Sequence, residues 1–172
     1  MKVEIEEKKK IEIACERYKR IHKSGFKKFE KLDEWLNKES LLFENEITKI
    51  KKTYHKFKRG QIIKVDFGIN VGSELSYTHF AIVLNKKDNI NNENLVVIPI
   101  TSKNGNNRIN LGNLLLKAYP NTKKYNLNCY ANITQITSIS KERILQDKGK
   151  YICSNDVLNE LDNSLKTLYI NC

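Results

Sequence analysis

The stretch that decides the fold is KRGQIIKVDFGINVGSELSYTHFAIVLNKKDNINNENLVVIPIT, residues 58–101. Three runs within it are rich in β-branched and other apolar residues and predict strands: QIIKVDF, HFAIVLN and NLVVIPIT. The pieces between these runs are rich in Gly, Ser and Asn, which predicts loops. Pro99 lies inside the third run, and it indicates a bulge or an edge position because proline donates no backbone hydrogen bond.

The chain downstream of this stretch continues the β-rich pattern and then changes period. The run CYANITQITSI, residues 129–139, predicts one more strand. Ser154 precedes apolar residues at helical spacing, which predicts a C-terminal helix with Ser154 as its N-cap. These apolar residues are Val157, Leu158, Leu161, Leu165 and Leu168.

Residues 1–54 differ in composition from the rest of the chain, with one glycine, Gly25, and no proline. Apolar side chains at helical spacing predict two or three amphipathic helices, with Gly25 ending the first and Ser40 capping the last. We therefore predict an α+β chain: a helical N-terminal extension over residues 1–54, and a β-rich domain with a C-terminal helix over residues 55–172. The apolar stripes are Ile11, Cys15, Tyr18 and Ile21; Phe26, Phe29, Leu32 and Trp35/Leu36; and Leu42/Phe43, Ile47 and Ile50.

The chain is strongly basic. Its 172 residues include 31 Lys and Arg against 20 Asp and Glu, a net charge of +11. Such an excess attracts polyanions, so nucleic acid, RNA or DNA, is the leading partner class. A Lys-rich and Asn-rich composition of the source genome is the alternative explanation.

One basic segment, KIKKTYHKFKR at residues 49–59, contains two aromatic residues, Tyr54 and Phe57. It is open to two interpretations. Either it tracks phosphates and stacks its rings on bases, or it is a solvated helix end and linker.

Several classes of protein are disfavoured by the sequence. No apolar run approaches the length of a membrane span, and the start MKVEIEEKKK is neither a signal peptide nor a transit peptide, so we expect a cytoplasmic protein without a membrane partner. The four cysteines form no CxxC pair and the three histidines are scattered, so we expect reduced thiols, no zinc site and no cofactor.

The elements KRG, VDFG, GSE and PIT occur together in one order, and this order resembles the MazF/PemK family of toxins. ITSISKERI, residues 136–144, resembles a later stretch of that family, so the likeness runs from about Lys58 to Ile170. The resemblance implies an SH3-type β-barrel with a C-terminal helix, working as a homodimer. It also implies a metal-independent, sequence-specific endoribonuclease of a toxin–antitoxin system, with a small antitoxin as partner. Such enzymes cut single-stranded RNA by 2′-hydroxyl attack, leaving a 2′,3′-cyclic phosphate and a 5′-hydroxyl.

The resemblance also implies catalytic residues. His79 aligns with the family's loop arginine, which is assigned to proton transfer and phosphate stabilisation. Histidine can act as acid or base near neutral pH, but it lacks the bidentate clamp of arginine. Thr101 aligns with the family's threonine after the Pro-Ile strand and can donate to a phosphate oxygen, and Ser102 can share that role.

Candidate substrate-binding residues lie in and around the same motifs. Loop residues of the GSE element would contact phosphate or base, Tyr77 would stack on a base, and two cations would add positive charge. Asn132 and Thr134 depart from the family, because PemK-like members carry arginine and aspartate there. The predicted substrate-binding set is Ser73, Glu74, Tyr77, Lys103, Arg108 and Gln135.

Alternatives of other kinds stay open. A non-catalytic RNA-binding or protein-binding module could keep this fold, and a gyrase-poisoning toxin of related fold is a third reading. The N-terminal helices could pack on each other, across a dimer, or over the RNA groove as a built-in substitute for an antitoxin, since large exposed apolar patches are rare on monomers.

Overall fold

The computed structural model describes residues 2–48, 53–118, 128–146 and 151–170. The chain divides into two compact units, residues 1–49 and 50–172. The division predicted between residues 54 and 55 stays a prediction, because residues 49–52 lie outside the described ranges.

The first unit contains two helices, α1 (Lys2–Lys23) and α2 (Leu32–Ile47). A short 3-10 turn at Lys27–Phe29 lies between them. Gly25 has a φ of 69°, a backbone conformation that glycine adopts without steric cost. The prediction that Gly25 ends the first helix is therefore confirmed.

A third helix beginning at Ser40 is not formed. Helix α2 runs through this position, and the Ser40 hydroxyl donates to the carbonyl of Asn37 at 2.8 Å. A serine bonded to its own helix in this way satisfies its hydroxyl without capping an end. The predicted N-cap role of Ser40 is wrong.

Apolar side chains of this unit differ in exposure. Leu32 and Trp35 are buried, whereas Phe26 is 64% exposed and Phe43 is 57% exposed. The Phe26 ring nevertheless lies against the Phe29 ring, at a centroid distance of 5.7 Å. Packing of the helices on each other, across a dimer or over the RNA groove stays a prediction.

The second unit is built on one antiparallel sheet, in which the described residues form seven strands. The strands are β1 (Ile62–Asp66), β2 (Thr78–Val83), β3 (Asn94–Thr101), β4 (Arg108–Asn110), β5 (Tyr130–Asn132), β6 (Thr137–Ser140) and β7 (Ile144–Gln146). Their order in the sheet is β4-β5-β3-β2-β1-β7, and β6 also pairs with β3. Helix α3 (Leu114–Ala118) follows β4, and α4 (Asn155–Tyr169) follows β7.

The sheet is open, so the expectation of an SH3-type barrel needs correction. Closure would require β4 to pair with β7, and the described strands show no such pairing. Both outer strands have only three residues, which leaves few backbone groups for a closing ladder.

The predicted strands from the deciding stretch are confirmed, since β1, β2 and β3 fall on the three apolar runs. The run at 129–139 is different. It forms β5, a 3-10 turn at Ile133–Gln135, and β6, so one predicted strand becomes two.

The prediction that Pro99 marks a bulge or an edge is wrong, because the register of β2 and β3 runs through it without interruption. It lies fully buried in the central strand β3, opposite Ala81 of β2. On the other side of β3, β6 pairs with residues 94–97 and β5 pairs with residues 100–101. Pro99 falls in the gap between these two partners, where its missing N–H removes no ladder hydrogen bond.

The two sheet faces carry separate cores. One face packs residues such as Ile82 and Ile98 with the buried Leu161 of α4. The Ser154 side chain accepts a hydrogen bond from the Val157 N–H at 3.5 Å, so the predicted terminal helix and its N-cap are confirmed. The opposite face packs Phe57, Ile63, Val65, Phe67, Ala81, Val83, Leu95, Val97 and Ile139.

The described part of the basic segment, residues 53–59, is an anchor for the sheet unit. Phe57 is 4% exposed and lies in the second core. The Tyr54 hydroxyl donates to Glu142 at 3.1 Å, and Arg59 donates to the Leu84 carbonyl and to Asp162. The phosphate-tracking interpretation is therefore wrong for Tyr54, Phe57 and Arg59, while residues 49–52 lie outside the described ranges.

The described cysteines carry free thiols. Cys15 is exposed, and Cys129 and Cys153 are buried. Burial raises the pKa of Cys153 to about 12, so this thiol stays protonated at neutral pH. Cys172 lies outside the described residues.

Candidate active site

Strand register fixes which residues share each face of the sheet. Phe80 pairs with Ile100, Ile100 with Ala131, and Ala131 with Ile109. All four belong to the same buried core. They form one lateral row across β2, β3, β5 and β4.

The adjacent row faces the other side and reaches solvent. Thr101 pairs with Tyr130, and Tyr130 pairs with Asn110. His79 precedes Phe80 as Thr101 follows Ile100, so the same antiparallel register places His79 opposite Thr101. We call His79, Thr101, Tyr130 and Asn110 the polar row. The first three are half-buried and Asn110 is exposed, in keeping with the alternation of side chains along a strand.

The two sequence-predicted catalytic residues are thus brought together. Directly opposite residues on antiparallel strands have Cβ atoms about 4.5–5.5 Å apart, so the His79 and Thr101 side chains stand side by side. Ser102 and Lys103 follow Thr101 in the next loop, where both are exposed. These four residues line one end of the β2–β3 pair.

The environment of His79 favours a neutral imidazole. Burial lowers its pKa below the ordinary value, although hydrogen bonds to the carbonyls of Ile100 and Ser76 act in the opposite direction. The Phe67 ring lies edge-on to the imidazole at a centroid distance of 6.4 Å. A neutral imidazole can accept a proton, so this environment suits a general base.

The Thr101 hydroxyl accepts one hydrogen bond within the protein and can also donate one to a ligand. Its side-chain oxygen accepts the Lys103 N–H at 3.2 Å, which caps the turn after β3. A hydroxyl that accepts one hydrogen bond still carries its own hydrogen for donation. Thr101 can therefore hold the turn and donate to a phosphate oxygen at the same time.

Gln135 organises the loop that joins β1 to β2. Its side-chain oxygen accepts the Leu75 N–H at 3.0 Å, and its amide nitrogen donates to the Ser73 carbonyl at 3.5 Å. Ser73 and Glu74 are exposed on this loop. Gln135 consequently acts on the loop backbone, while Ser73 and Glu74 present the side chains that a ligand would meet.

Tyr77 has an unusual backbone. Its φ is 72°, a left-handed conformation that costs a non-glycine residue roughly 1–2 kcal/mol. The Tyr77 N–H donates to the Gly68 carbonyl at 2.5 Å and its carbonyl accepts the Phe67 N–H at 2.9 Å, which holds this conformation. The ring is exposed two residues before His79. Such outliers concentrate at functional sites.

Two substitutions separate the backbone of Tyr77 from its ring. Both Tyr77→Gly and Tyr77→Ala remove the ring, but only glycine adopts a positive φ without strain. We expect the free energy of unfolding of the glycine variant to exceed that of the alanine variant by about 1 kcal/mol. Urea denaturation measures both values. A glycine variant no more stable than the alanine variant would contradict the strained conformation.

Arg108 secures the loop after β3. Its guanidinium donates to the carbonyls of Lys103 at 2.6 Å and Asn104 at 3.0 Å. These bonds place a positive charge next to the turn that follows Thr101. Arg108 therefore contributes charge at the site while its donors are partly used by the loop.

Asn132 and Thr134, which the resemblance aligns with an arginine and an aspartate, form a neutral pair. Asn132 is buried, and the Thr134 hydroxyl donates to its side-chain oxygen at 2.9 Å. The register of β4 and β5 places Asn132 opposite Arg108. This part of the site is held by a hydrogen bond between uncharged groups.

A cleft of about 630 Å³ lies beside the polar row. Phe67 lines this cleft and also contacts the His79 ring, so the two features adjoin. Arg143 lines it too and donates to the Phe67 carbonyl at 3.1 Å. Other lining residues include Asn70, Glu74, Gln135 and Ser138.

Sequence reasoning missed Tyr130 and Asn110. Both lie in three-residue strands, and the signal that places them beside Thr101 is the pairing of β5 with β3 and β4. Within the described ranges, no group of three or more His, Cys, Asp and Glu residues could hold a metal ion.

The sequence of the sheet unit matches a known family. Residues 58–169 match the family described as "PemK-like, MazF-like toxin of type II toxin-antitoxin system". This match spans more than half of the chain and includes the polar row. The chain therefore belongs to the PemK-like, MazF-like toxin family.

The chain is similar to an endoribonuclease solved in complex with its cognate antitoxin from a mycobacterial species, with 16% identity and a TM-score of 0.43. That similarity covers 64% of this chain and 90% of the other. No curated protein sequence matches the chain. Among the described residues, no helix is both long and apolar enough to cross a membrane.

Proposed function

We propose that this chain is a metal-independent, sequence-specific endoribonuclease toxin that cleaves single-stranded RNA. The observation that carries the proposal is the register of β2 and β3, whose last pair is Phe80 with Ile100. Continued by one residue, this register brings His79 opposite Thr101 at a solvent-facing end of the sheet. Membership of a toxin family supports it. A small antitoxin and a second copy of the chain are the proposed protein partners.

RNA supplies its own nucleophile, so few protein groups are needed. His79 accepts the proton of the 2′-hydroxyl as its oxygen attacks phosphorus. Thr101 donates a hydrogen bond to a non-bridging oxygen as negative charge develops there. The products are a 2′,3′-cyclic phosphate and a 5′-hydroxyl, and none of these steps requires a metal.

The charge distribution suits an RNA substrate. Residues 50–172 hold 18 of the 31 Lys and Arg residues and 9 of the 20 Asp and Glu residues. The sheet unit therefore carries most of the positive charge of the chain. Ser73, Glu74, Tyr77 and Lys103 are exposed around the polar row and are the proposed substrate contacts, with Gln135 and Arg108 fixing the loops that present them.

A second candidate is a non-catalytic module that binds RNA or protein on the same fold. The observation that favours it is the neutral Asn132–Thr134 pair, since a missing charge weakens stabilisation of a developing phosphorane. This candidate predicts binding without bond breakage.

One incubation separates the two candidates. Purified protein is mixed with a long, defined single-stranded RNA in excess EDTA, and fragments are mapped by primer extension. We expect discrete cuts at a short recurring motif and an unchanged rate relative to EDTA-free buffer. Cleavage that disappears in EDTA and returns with magnesium would refute metal independence, and binding without any cut would support the module.

A further inference from the structure

We propose that Tyr130 is the general acid of the cleavage reaction, protonating the departing 5′-oxygen. This inference rests on the proposed endoribonuclease function. It adds a residue that the sequence did not single out and that the strand register places in the polar row. Its structural basis is the lateral order His79, Thr101, Tyr130 on three adjacent strands.

The order of the three residues matches the needs of the reaction. In an in-line displacement the attacking and leaving oxygens lie on opposite sides of phosphorus, so the proton acceptor and the proton donor must flank the phosphate. His79 and Tyr130 flank Thr101, and each strand spacing is about 4.8 Å. A phosphate held over the Thr101 hydroxyl would meet His79 on one side and Tyr130 on the other.

The facing of Tyr130 follows from its neighbour. Ala131 is fully buried in the core that contains Ile100 and Ile109. Successive side chains of a strand point to opposite faces, so Tyr130 points to the side of Thr101. The residue is half-buried, which leaves part of its side chain at the surface.

The chemistry of the row selects Tyr130 as the donor. Asn110, its other neighbour, carries an amide that does not release a proton under these conditions. The Thr101 hydroxyl is an alcohol, no stronger an acid than the ribose alcohol that leaves. A phenol is a stronger acid than a ribose alcohol, so Tyr130 can supply the proton that the leaving oxygen needs.

The step balances as follows. The 2′-oxygen forms a bond to phosphorus while its proton passes to the His79 imidazole. The bond from phosphorus to the 5′-oxygen breaks, and that oxygen takes the Tyr130 proton to become a 5′-hydroxyl. Proton exchange with water then returns the imidazolium and the phenolate to their starting forms.

A substrate with sulfur in place of the bridging 5′-oxygen provides the test, because a thiolate leaves without help from an acid. On the oxygen substrate, Tyr130→Phe should cleave about 10²–10⁴-fold more slowly than the wild type. On the sulfur substrate, the same variant should cleave within about threefold of the wild type. His79→Ala should be slow on both, because the 2′-oxygen attacks in each case.

Tyr151→Phe is the matched control, since Tyr151 packs against the core on the opposite face and should leave both rates unchanged. An equal loss on both substrates for Tyr130→Phe would overturn the acid role in favour of a positional one, and no loss on either would remove Tyr130 from the mechanism. A wild-type protein that cleaves neither substrate would refute the proposed function itself, and the inference with it.

A second variant retains the tyrosine side chain and so guards against misfolding of Tyr130→Phe. Replacing Tyr130 with 3,5-difluorotyrosine gives a more acidic phenol of similar size. On the oxygen substrate this variant should cleave much faster than Tyr130→Phe, because it still carries a phenolic proton. A rate as low as that of Tyr130→Phe would overturn the proposal.

Discussion

His79→Ala is expected to slow RNA cleavage by about 10²–10⁴-fold, the usual effect of losing one group that transfers a proton. The variant should bind RNA with little change, because burial lowers the pKa of His79 and leaves it uncharged in the free protein at neutral pH. Single-turnover rates measured on a defined RNA, with affinity measured separately, distinguish these effects. His55→Ala is the matched control, since His55 is exposed outside the polar row.

The pH profile gives an independent check on the same residue. A base must be neutral to accept a proton, and the lowered pKa of His79 extends the neutral form below pH 6.5. On the acid side of the profile, the decline of kcat/KM for the wild type should therefore have its midpoint below pH 6.5. His79→Arg should retain partial activity, because the resemblance to MazF/PemK toxins aligns this position with an arginine. Wild-type rates in His79→Ala would exclude His79 from the mechanism.

Asp88→Ala is expected to lower the free energy of unfolding by about 3–5 kcal/mol, because it leaves the buried charge of Lys141 without its carboxylate partner. The two side chains are almost fully buried, and the ammonium nitrogen lies 2.9 Å from a carboxylate oxygen. Lys141 also donates to the carbonyls of His55 and Asn89. Asp88 accepts the Phe57 N–H at 2.9 Å, so the pair ties the segment before β1 to the end of β6.

Urea denaturation at neutral pH measures this effect. Asp162→Ala is the control, because its partly exposed pair with Arg59 should contribute about 1 kcal/mol or less. Replacing both buried charges together, as Asp88→Leu with Lys141→Met, should destabilise less than Asp88→Ala alone. A loss below about 1 kcal/mol for Asp88→Ala would show that the pair is not buried as described.

The pH dependence of this contribution has a definite sign. Burial by itself would raise the pKa of Asp88, but the Phe57 N–H and the Lys141 ammonium outweigh it and hold the pKa below its ordinary value. A carboxyl whose folded pKa is depressed stabilises the fold above its unfolded pKa, near 3.9. The contribution should persist above about pH 4 and disappear as the pH falls further.

Local sequence pattern predicted the parts of the fold that depend on local chemistry. Strands β1 to β3 were identifiable because apolar and β-branched runs are bounded by turn residues, and α4 because Ser154 precedes a regular apolar stripe. The break between β5 and β6 was not identifiable, because no Gly or Pro marks the turn at Ile133–Gln135. That turn is held by the bond from Gln135 to Leu75, sixty residues earlier in the chain.

The site was predicted only in part for a similar reason. His79 and Thr101 were found through their place in family motifs, whereas Tyr130 joins them through strand pairing that sequence spacing does not reveal. The basic composition of residues 49–59 led to a wrong prediction for Tyr54 and Phe57. Basic neighbours suggested stacking rings, but hydrogen bonds and core packing hold both side chains within the protein.

The most direct test of the central claim is the end chemistry of the RNA fragments. The wild-type protein and the His79→Ala variant are each incubated with a defined RNA in EDTA. The end groups of the fragments from both reactions are then identified by mass spectrometry. We expect 2′,3′-cyclic phosphate and 5′-hydroxyl ends from the wild type, and almost none of these ends with the variant. Fragments ending in 3′-hydroxyl and 5′-phosphate, or equal yields from both proteins, would contradict it.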